Sequence, residues 1–357
     1  MKIIHTGDIH LNSPLDSSFT AQKAKIRNNE IMNTFKKTVE FAKDNGIKVV
    51  IIAGDLFDCN DISRKTEQFV FDVVSSNSDI DFLYLLGNHD DNVKYNAKLP
   101  DNLIILKDGE KHFYDNVCVC GIESYNNIDF AADNYNIAVM HGEISNGYGK
   151  YEVNLKELQN KNIDYLALGH IHKGGNGKID DKGVYFYCGV LDSRGYGEYD
   201  KHGFILVDTD SKKYDFVCMS SRIARKIELD ITDLKSNLEI VNAIEEKVKN
   251  IEESSIVKVV LTGGFDEDLL KDIKYIEQNF EDRFFNFKVE DNSVIKINFD
   301  SYKNDISLKG EFVRQVQNGE YSDEMLNKIL IAGFDALNNE EISIWKYKSV
   351  ILKISEI

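Results

Sequence analysis

The chain has 357 residues, which exceeds the usual size of a single domain, and 42% of them are hydrophobic, so two domains are expected. Its formal net charge of −17 argues against a protein that coats nucleic acid non-specifically, because such binding depends on neutralising phosphates with Lys and Arg. A cluster of carboxylates that binds divalent cations is compatible with this charge. No run of eighteen or more apolar residues occurs, and the first ten residues lack a signal-peptide core, so no membrane association is expected.

The cysteines are typical of a reduced, cytoplasmic protein. Their number is odd and no two of them form a CxxC pair, which disfavours a disulfide framework. The five are Cys59, Cys118, Cys120, Cys188 and Cys218.

Short apolar runs alternate with helical patterns in the first half of the chain. The strand-like runs are KIIHT, VVIIAG, FLYLLG, VCVCGI, NIAVMHG and YLALGH. Helices are predicted over Ala21–Asp44 and Asp61–Val74, and the DNG sequence at 44–46 is expected to end the first one. This alternation predicts a parallel sheet with crossover helices. From residue 178 onward, closely spaced strands predict an antiparallel continuation that ends near Ser221.

The pattern changes after SSRIARK to that of a small α+β unit. Strands are expected at Ile227–Ile231, Ser255–Leu261 and Phe284–Val289, with helices at Leu234–Val248 and Leu269–Asn279. From about Asp305, LKGEFVRQVQ and EMLNKILIAGFDAL read as amphipathic helices. The closing stretch ISIWKYKSVILKISEI fits either a helix or a strand.

Polar side chains follow five of the strands in the first half, each next to glycine. The sequences at these positions are GDIH (7–10), GDLFD (54–58), GNHD (87–90), HG (141–142) and GHIH (169–172). Ligands of α/β proteins gather where the carboxyl ends of strands open into loops, and glycine allows close approach of the backbone. Each motif alone is weak, but five in strand order favour a common site.

The donors at these positions are oxygens and imidazoles, with no thiolate, which suits Mn²⁺, Fe or Zn²⁺ in a catalytic site. They are Asp8, His10, Asp55, Asn88, His141, His170 and His172. Seven donors are too many for one ion and fit two ions that share a carboxylate. Two such ions clamp a phosphate and turn a bridging water into hydroxide near neutral pH.

The remaining histidines are expected to differ in role. His89 follows Asn88 and points away from it, so it is placed to protonate the alkoxide that leaves when a phosphodiester is cleaved. Asp90 or another carboxylate could orient the His89 ring, and His89 and Asp90 are therefore the predicted catalytic residues. His5 lies inside the first strand and is expected to be a packed core residue. His112 and His202 fall outside the pattern and are not expected to bind metal.

In order, these motifs resemble those of the calcineurin-like metallophosphoesterases, over residues 7–172. The resemblance implies an α/β fold with a two-sheet sandwich flanked by helices. It also implies that Asp55 bridges two ions and that His89 lies near the leaving group. One ion would be held by Asp8, His10, Asp55 and His172, and the other by Asp55, Asn88, His141 and His170.

A narrower resemblance links GDIHLNSPL and YCGVLDSRGYGEYDKHGFILVD to the nuclease subunit of bacterial SbcCD-type DNA repair complexes, especially its YhaO-like branch. Cys188 stands where that family usually has proline, and Asn12 where it has Asp or Gly. The resemblance implies a nuclease domain (1–222), an α+β capping domain (223–300) and a C-terminal helical region (301–357). The last would dock on an SMC-like coiled-coil ATPase.

The leading hypothesis is therefore a manganese-dependent exo- or endonuclease that acts on DNA with an ATPase subunit. The alternatives are a phosphodiesterase or phosphatase for small molecules or phosphoproteins, and a metal-free scaffold. Lys173, Arg194 and Lys94 lie in or near the ligand loops and are candidate contacts for substrate phosphates. Whether a homodimer forms is left open by the sequence.

Overall fold

The structure is a computed structural model that describes residues 1–15, 17–266, 269–296, 299–302 and 304–338. Its contacts divide the chain into two compact units. Unit 1 comprises Met1–Lys226, Glu252–Lys258 and Phe284–Asn286. Unit 2 comprises Ile227–Ile251, Val259–Arg283 and the described residues from Phe287 onward. The predicted three-part division at residues 222 and 300 stays a prediction.

Most strands of unit 1 belong to two large sheets. In chain order the strands are β1 (Lys2–Thr6), β2 (Val49–Ala53), β3 (Asp81–Leu85), β4 (Leu103–Ile105), β5 (Lys111–Tyr114), β6 (Val117–Gly121), β7 (Tyr135–His141), β8 (Glu143–Ile144), β9 (Glu152–Val153), β10 (Tyr165–Gly169), β11 (Gly175–Lys178), β12 (Val184–Tyr187), β13 (Gly203–Asp208) and β14 (Lys213–Cys218). The short β8 and β9 pair only with each other. The helices are α1 (Ala21–Asp44), α2 (Arg64–Ser75), the short α3 (Leu155–Leu158) and a 3₁₀ helix at Tyr125–Asn127.

The two sheets confirm the predicted α/β class. One has the order β14-β13-β1-β2-β3-β4 and the other β11-β12-β10-β7-β6-β5. Strands β1 to β4 are parallel, and the β13–β14 hairpin joins β1 in antiparallel orientation. The predicted antiparallel continuation is thus correct for β13 and β14. Strand β12 departs from it, because it runs parallel to β10 and antiparallel only to β11.

Alternation along the central strands explains how the layers pack. In β2, Val49, Ile51 and Ala53 lie in the apolar core between the two sheets, whereas Val50 and Ile52 face the core that contains α1 and α2. Successive side chains of a strand point to opposite faces, so a strand buried on both faces must be apolar throughout. This is why the central strands read as continuous apolar runs.

The helix boundaries follow from capping residues. Helix α1 begins after Thr20, whose hydroxyl accepts a hydrogen bond from the backbone N–H of Lys23 (3.4 Å), and it ends at Asp44 as predicted. Helix α2 begins three residues later than predicted, because Ser63 caps it by accepting from the N–H of Thr66 (3.2 Å).

The elements from Ala224 onward include both strands and helices. They are β15 (Ala224–Asp230), α4 (Asn237–Val248), β16 (Ile256–Thr262), β17 (Gly264–Asp266), α5 (Ile273–Gln278), β18 (Asn286–Asp291), β19 (Val294–Lys296), a 3₁₀ helix at Phe299–Tyr302, α6 (Leu308–Gln317) and α7 (Asp323–Asn338). One sheet has the order β15-β16-β18, and β17 pairs with β19.

Helices α6 and α7 form the end of the described chain. Val313 and Val316 of α6 share an apolar cluster with Leu330 and Phe334 of α7. The two predicted amphipathic helices are therefore present, and part of their apolar surface is buried between them. The closing stretch ISIWKYKSVILKISEI lies outside the described residues. In the described part of the chain, no helix combines the length and apolar character that a membrane span requires.

Candidate metal centre

The carboxyl ends of β1, β2 and β3 in one sheet and of β7 and β10 in the other deliver the predicted donor residues to one place. Ligand atoms of Asp8, His10 and His172 lie within 4.8 Å of one another, and so do those of Asp8, Asp55 and His141. A third group with the same spacing contains His10 and His89 together with Asp58, which the sequence reasoning did not include.

Asp55 lies between two sets of donors. Its Oδ2 atom is 3.8 Å from Nε2 of His10 and 3.3 Å from Nε2 of His141. On the first side, Nε2 of His10 is 3.1 Å from Nε2 of His172. The side chain of Asp55 is therefore positioned to contact ions on both sides.

Asn88 connects the donors on the second side. Its Oδ1 atom lies 2.9 Å from Nε2 of His141 and 2.9 Å from Nδ1 of His170. The backbone N–H of His170 also points at both carboxylate oxygens of Asp8, each at 2.9 Å. All seven predicted donor residues thus belong to one connected cluster.

The hydrogen bonds of the histidines leave acceptor atoms facing one another, which is the arrangement a cation requires. Nδ1 of His141 lies 3.0 Å from the carbonyl oxygen of Ala53, so this nitrogen carries the proton and Nε2 presents a lone pair. That lone pair faces two further acceptors, Oδ1 of Asn88 and Oδ2 of Asp55. Nδ1 of His10 lies 2.8 Å from a carboxylate oxygen of Asp58, which in the same way directs the Nε2 lone pair of His10 inward. The residues present therefore fit divalent metal ions.

The buried groups of the cluster have strongly shifted pKa values, and contact with Asp55 raises the pKa of His141 although burial opposes it. Burial raises the pKa of Asp8 to about 7, against the opposing charge of His141. Burial lowers the pKa of His10 to about 4, although Asp58 hydrogen-bonds to its ring. For Asp55, burial is outweighed by the hydrogen bond and charge of His141, which bring its pKa down to about 2. Bound divalent cations would stabilise the ionised carboxylates and the neutral imidazoles together.

Left-handed backbone conformations are concentrated at the predicted ligands. Asp8, His10, Asp55 and His170 have φ angles of 48°, 49°, 50° and 89°. Residues other than glycine adopt such angles at a cost of about 1–3 kcal/mol and do so mainly at functional sites. Backbone hydrogen bonds between the loops that follow β1 and β2 hold this geometry. The N–H groups of Asp8 and His10 donate to the carbonyls of Gly54 (3.0 Å) and Asp55 (2.9 Å).

Glycine is required beside these residues because the loops nearly touch. A Cβ atom on Gly87 would lie 2.1 Å from Oδ1 of Asp55, and one on Gly54 would lie 2.0 Å from Nδ1 of His141. A Cβ atom on Gly169 would lie 1.7 Å from the carbonyl oxygen of Ala53. The close backbone approach that the sequence suggests is therefore present.

Replacement of Gly169 by alanine is expected to destabilise unit 1 by at least about 1–3 kcal/mol, because the added methyl group overlaps rigid backbone. Gly175→Ala is the matched control, since a Cβ atom at Gly175 meets nothing within 4 Å. Denaturant unfolding of both variants measures the difference, and similar midpoints would contradict the close packing described at Gly169.

Two carboxylates that the sequence reasoning did not single out orient the predicted ligands. Asp58 lies beside His10, as described above. Nδ1 of His172 lies 3.0 Å from Oε1 of Glu198, and the pKa of Glu198 is held at about 2 because His172 and Arg194 outweigh the effect of burial. Asp58 stands at the end of the GDLFD motif, and this position could have indicated its role in the site. Glu198 lies in GYGEYD without any local sign of its role.

Glu198→Gln is expected to weaken divalent-metal binding roughly 10- to 100-fold, because partners of ligating histidines fix the ring and raise its basicity. Glu67→Gln is the matched control: Glu67 is also a buried carboxylate, but it accepts bonds from the backbone N–H groups of Asn96 and Ala97. Titration calorimetry with Mn²⁺ compares the two variants. Equal affinities would show that Glu198 does not support His172.

A buried ion pair holds the loop that carries Glu198. The guanidinium of Arg27, fully buried on α1, lies 2.5 Å from the carboxylate of Asp192 and donates through Nε to the carbonyl of Ser193 (2.8 Å). Thr34 and Ser221 donate hydroxyl bonds to the same carboxylate, at 2.7 and 2.6 Å. The start of the Glu198 loop is therefore anchored to the first helix.

Asp90 has a different role from the one expected. Its buried carboxylate accepts bonds from the backbone N–H groups of Gly87 (2.8 Å) and Phe57 (3.1 Å) and from the hydroxyl of Tyr84. Nδ1 of His89 instead lies 3.1 Å from the backbone carbonyl and 3.8 Å from the carboxylate of Asp58. This corrects the expectation for Asp90, which holds the GNHD loop, while the carboxylate beside the His89 ring is that of Asp58.

The three basic residues expected to contact substrate phosphates have different surroundings. The guanidinium of Arg194 lies 2.9 Å from Asp58, 2.8 Å from Glu198 and 3.0 Å from Nδ1 of His172, so it is held among the groups that orient the histidines, which corrects its expected availability for phosphate. Lys173, next to His172, and Lys94 are exposed and have no ion-pair partner in the described part of the chain. Their contacts with substrate remain a prediction.

The other histidines lie apart from the donor cluster. His5 is fully buried and its Nδ1 lies 2.8 Å from the hydroxyl of Tyr165, which agrees with a core position. His202 is buried with Nε2 3.1 Å from the carbonyl of Glu198, and His112 lies on β5. Within the described residues, neither His112 nor His202 belongs to a group with metal-ligand spacing.

The two-sheet fold with a donor cluster at its strand ends is the arrangement that a metal-dependent phosphoesterase requires. Residues 1–174 match the calcineurin-like phosphoesterase family, so this part of the chain is a calcineurin-like metallophosphoesterase domain. The family uses a dinuclear metal site, and the cluster around Asp55 provides the candidate ligands for it.

Curated relatives are similar over most of the chain at low identity. The DNA double-strand break repair protein Mre11 of Sulfolobus acidocaldarius is 21% identical, covering 96% of this chain and 96% of its own length. The uncharacterised metallophosphoesterase YhaO of Bacillus subtilis is 23% identical, over 76% and 74%. Exonuclease subunit 1 of Enterobacteria phage T4 is 27% identical, over 73% of this chain and 82% of its own length.

Proposed function

We propose that the chain is a two-metal phosphodiesterase that cleaves DNA, as the nuclease subunit of a repair complex. The observation that carries the chemistry is the convergence of acceptor atoms around Asp55, with His89 at its edge. The DNA substrate is supported by relatives whose names describe DNA repair and exonuclease proteins and by similarity that extends beyond residue 222.

In this proposal the seven donors divide into two sets that share Asp55. Asp8, His10 and His172 complete the first set, and Asn88, His141 and His170 complete the second. When bound, two divalent ions would supply charge neutralisation for the phosphate and acidify water. Mn²⁺ is the proposed ion, since the donors are oxygens and imidazoles, and Fe and Zn²⁺ suit the same donors.

The residues of the chain prepare the other parts of the reaction. Asp58 keeps the proton of His10 on Nδ1, and Glu198 and Arg194 both contact Nδ1 of His172, so that both Nε2 atoms face the centre. The His89 side chain is 40% exposed and its ring lies 4.8 Å from that of His10, so it can reach a substrate bound at the centre. We propose that it donates a proton to the departing deoxyribose oxygen.

A cytoplasmic location and a coiled-coil ATPase partner complete the proposal. The phage relative is named a subunit, which supports a partner for that protein. Helices α6 and α7 are the proposed docking elements for the ATPase. Dimerisation of the chain is a separate proposal that size measurement in solution can test.

The test uses the purified full chain with Mn²⁺ and four substrates: end-labelled linear duplex DNA, single-stranded DNA, bis-(p-nitrophenyl) phosphate and a phosphoserine peptide. Metal-dependent shortening of DNA is expected, with loss of activity after chelation and recovery on adding Mn²⁺. Turnover of the aryl ester without action on either DNA would favour a small-molecule phosphodiesterase. Activity on the phosphopeptide alone would favour a phosphatase, and no activity and no bound metal would favour a scaffold.

A further inference from the structure

A cavity in unit 1 adjoins the candidate metal centre. It has a volume of about 650 Å³, within the range of small-molecule binding sites, and His172 and Glu198 form part of its wall. His172 therefore faces the candidate metal centre with Nε2 and is also part of the wall of this cavity.

Aromatic side chains form much of the opposite wall. Tyr214 and Phe216 stand two residues apart on β14, so they point to the same face of this edge strand. The ring of Tyr214 lies 5.0 Å from that of Phe186 on β12. Phe216 is 48% exposed, which leaves its ring available for stacking.

Two lysines without an ion-pair partner in the described residues line the cavity, although the chain is acidic overall. They are Lys173 and Lys201, and both are exposed. The nearby carboxylates are already paired. Asp200 lies 2.9 Å from Arg225, and Glu198 lies 2.8 Å from Arg194, which it shares with Asp58. The available charges therefore favour an anion with an aromatic group.

We propose that this cavity binds a nucleobase of the substrate, next to the phosphodiester that is held at the metal centre. The base would stack on Phe216 and Tyr214, while Lys173 and Lys201 would contact the flanking phosphate. Stacking on aromatic rings accepts every base, so the cavity would recognise nucleic acid without reading its sequence. The inference rests on the proposed phosphodiesterase function and specifies its substrate class.

Binding of 2′-deoxyadenosine 5′-monophosphate and of 2-deoxyribose 5-phosphate to the full chain with Mn²⁺ tests the proposal by calorimetry. The nucleotide is expected to bind roughly five- to hundredfold more tightly, because the two ligands differ in the base. Phe216→Ala should remove most of this difference. Phe113→Ala is the matched control, because Phe113 is an exposed aromatic (60%) on the edge strand β5, away from the cavity, and it should leave the difference unchanged.

A second measurement distinguishes a base within a strand from a free nucleotide. Single abasic residues are placed along an oligonucleotide, and kcat/KM is measured for the parent chain and for Phe216→Ala. If the strand supplies the base, one abasic position beside the cleaved bond lowers kcat/KM by about the same factor that separates the affinities of the two small ligands. Phe216→Ala then adds no further loss at that position. Base-selective binding of the mononucleotide with no abasic effect would assign the cavity to free nucleotides.

The outcomes separate this inference from the proposed function. Cleavage of DNA with equal affinity for the two small ligands would overturn the base cavity and leave the nuclease intact. Base-selective binding that depends on Phe216, without cleavage of DNA, would support the cavity and refute the nuclease. A base preference that survives Phe216→Ala and also Tyr214→Ala would place the base elsewhere and overturn the proposal.

Discussion

Asp55→Asn is expected to reduce phosphodiester hydrolysis below detection and to lower the number of tightly bound divalent ions. The carboxylate of Asp55 lies between the two sets of donors, 3.8 Å from His10 and 3.3 Å from His141, so its charge serves both sets. Asparagine keeps the shape of the side chain, and its oxygen can still accept the N–H of His89, which Asp55 accepts at 2.9 Å. The loss should therefore come from charge and coordination.

Elemental analysis and calorimetry with Mn²⁺ measure this effect without depending on catalysis. Asp164→Asn is the matched control, because Asp164 is a buried carboxylate of unit 1 that pairs with Lys182 (2.9 Å) and Lys212 (3.1 Å). The control is expected to keep the metal content of the parent chain. If Asp55→Asn retained both ions at unchanged affinity, Asp55 could not be a shared ligand.

His89→Ala is expected to lower kcat on DNA roughly 10²- to 10⁴-fold, the usual contribution of a general acid, while metal content stays unchanged. The size of the loss should depend on the leaving group. A deoxyribose oxygen needs a proton as the bond breaks, whereas p-nitrophenolate leaves without one, so activity on bis-(p-nitrophenyl) phosphate should fall much less. Truncating a side chain that is 40% exposed should have little effect on folding.

The comparison of leaving groups is the decisive measurement for His89. His112→Ala provides the control for removing a histidine of unit 1, and it should behave like the parent chain on both substrates. An equal loss on DNA and on the aryl ester would contradict proton donation. It would indicate that His89 supports the site only through its contact with Asp58.

Several secondary-structure elements of this protein could be predicted from the local sequence. Continuous apolar runs such as VVIIA at 49–53 predicted strands, and the periodicity over 21–44 predicted α1 to the residue, because both signals arise within one element. The strands β4, β5, β8 and β9 were not predicted. They are two to four residues long, too short for alternation to be recognised.

The candidate donors were also local features, since each stands directly after a strand and beside glycine. The carboxyl ends of parallel strands meet at one edge of a sheet, so strand order alone suggested that these residues converge. Their division into two sets around Asp55 was implied only by the family resemblance, and the contacts across loops came from the structure. His10 and His172 are separated by 162 positions in the chain, yet their Nε2 atoms lie 3.1 Å apart.

The roles of the neighbouring charged residues were decided by tertiary structure. Asp58, Asp90, Arg194 and Glu198 all lie in motifs visible in the sequence, but their partners come from loops far away in the chain. A carboxylate orients a ring, holds a loop or pairs with a guanidinium according to which groups are packed against it. The sequence by itself therefore determined which elements form and which donors follow them, because these depend on periodicity and strand ends. Only the packing of the two sheets decided which charges meet, because those contacts join residues that no local pattern relates.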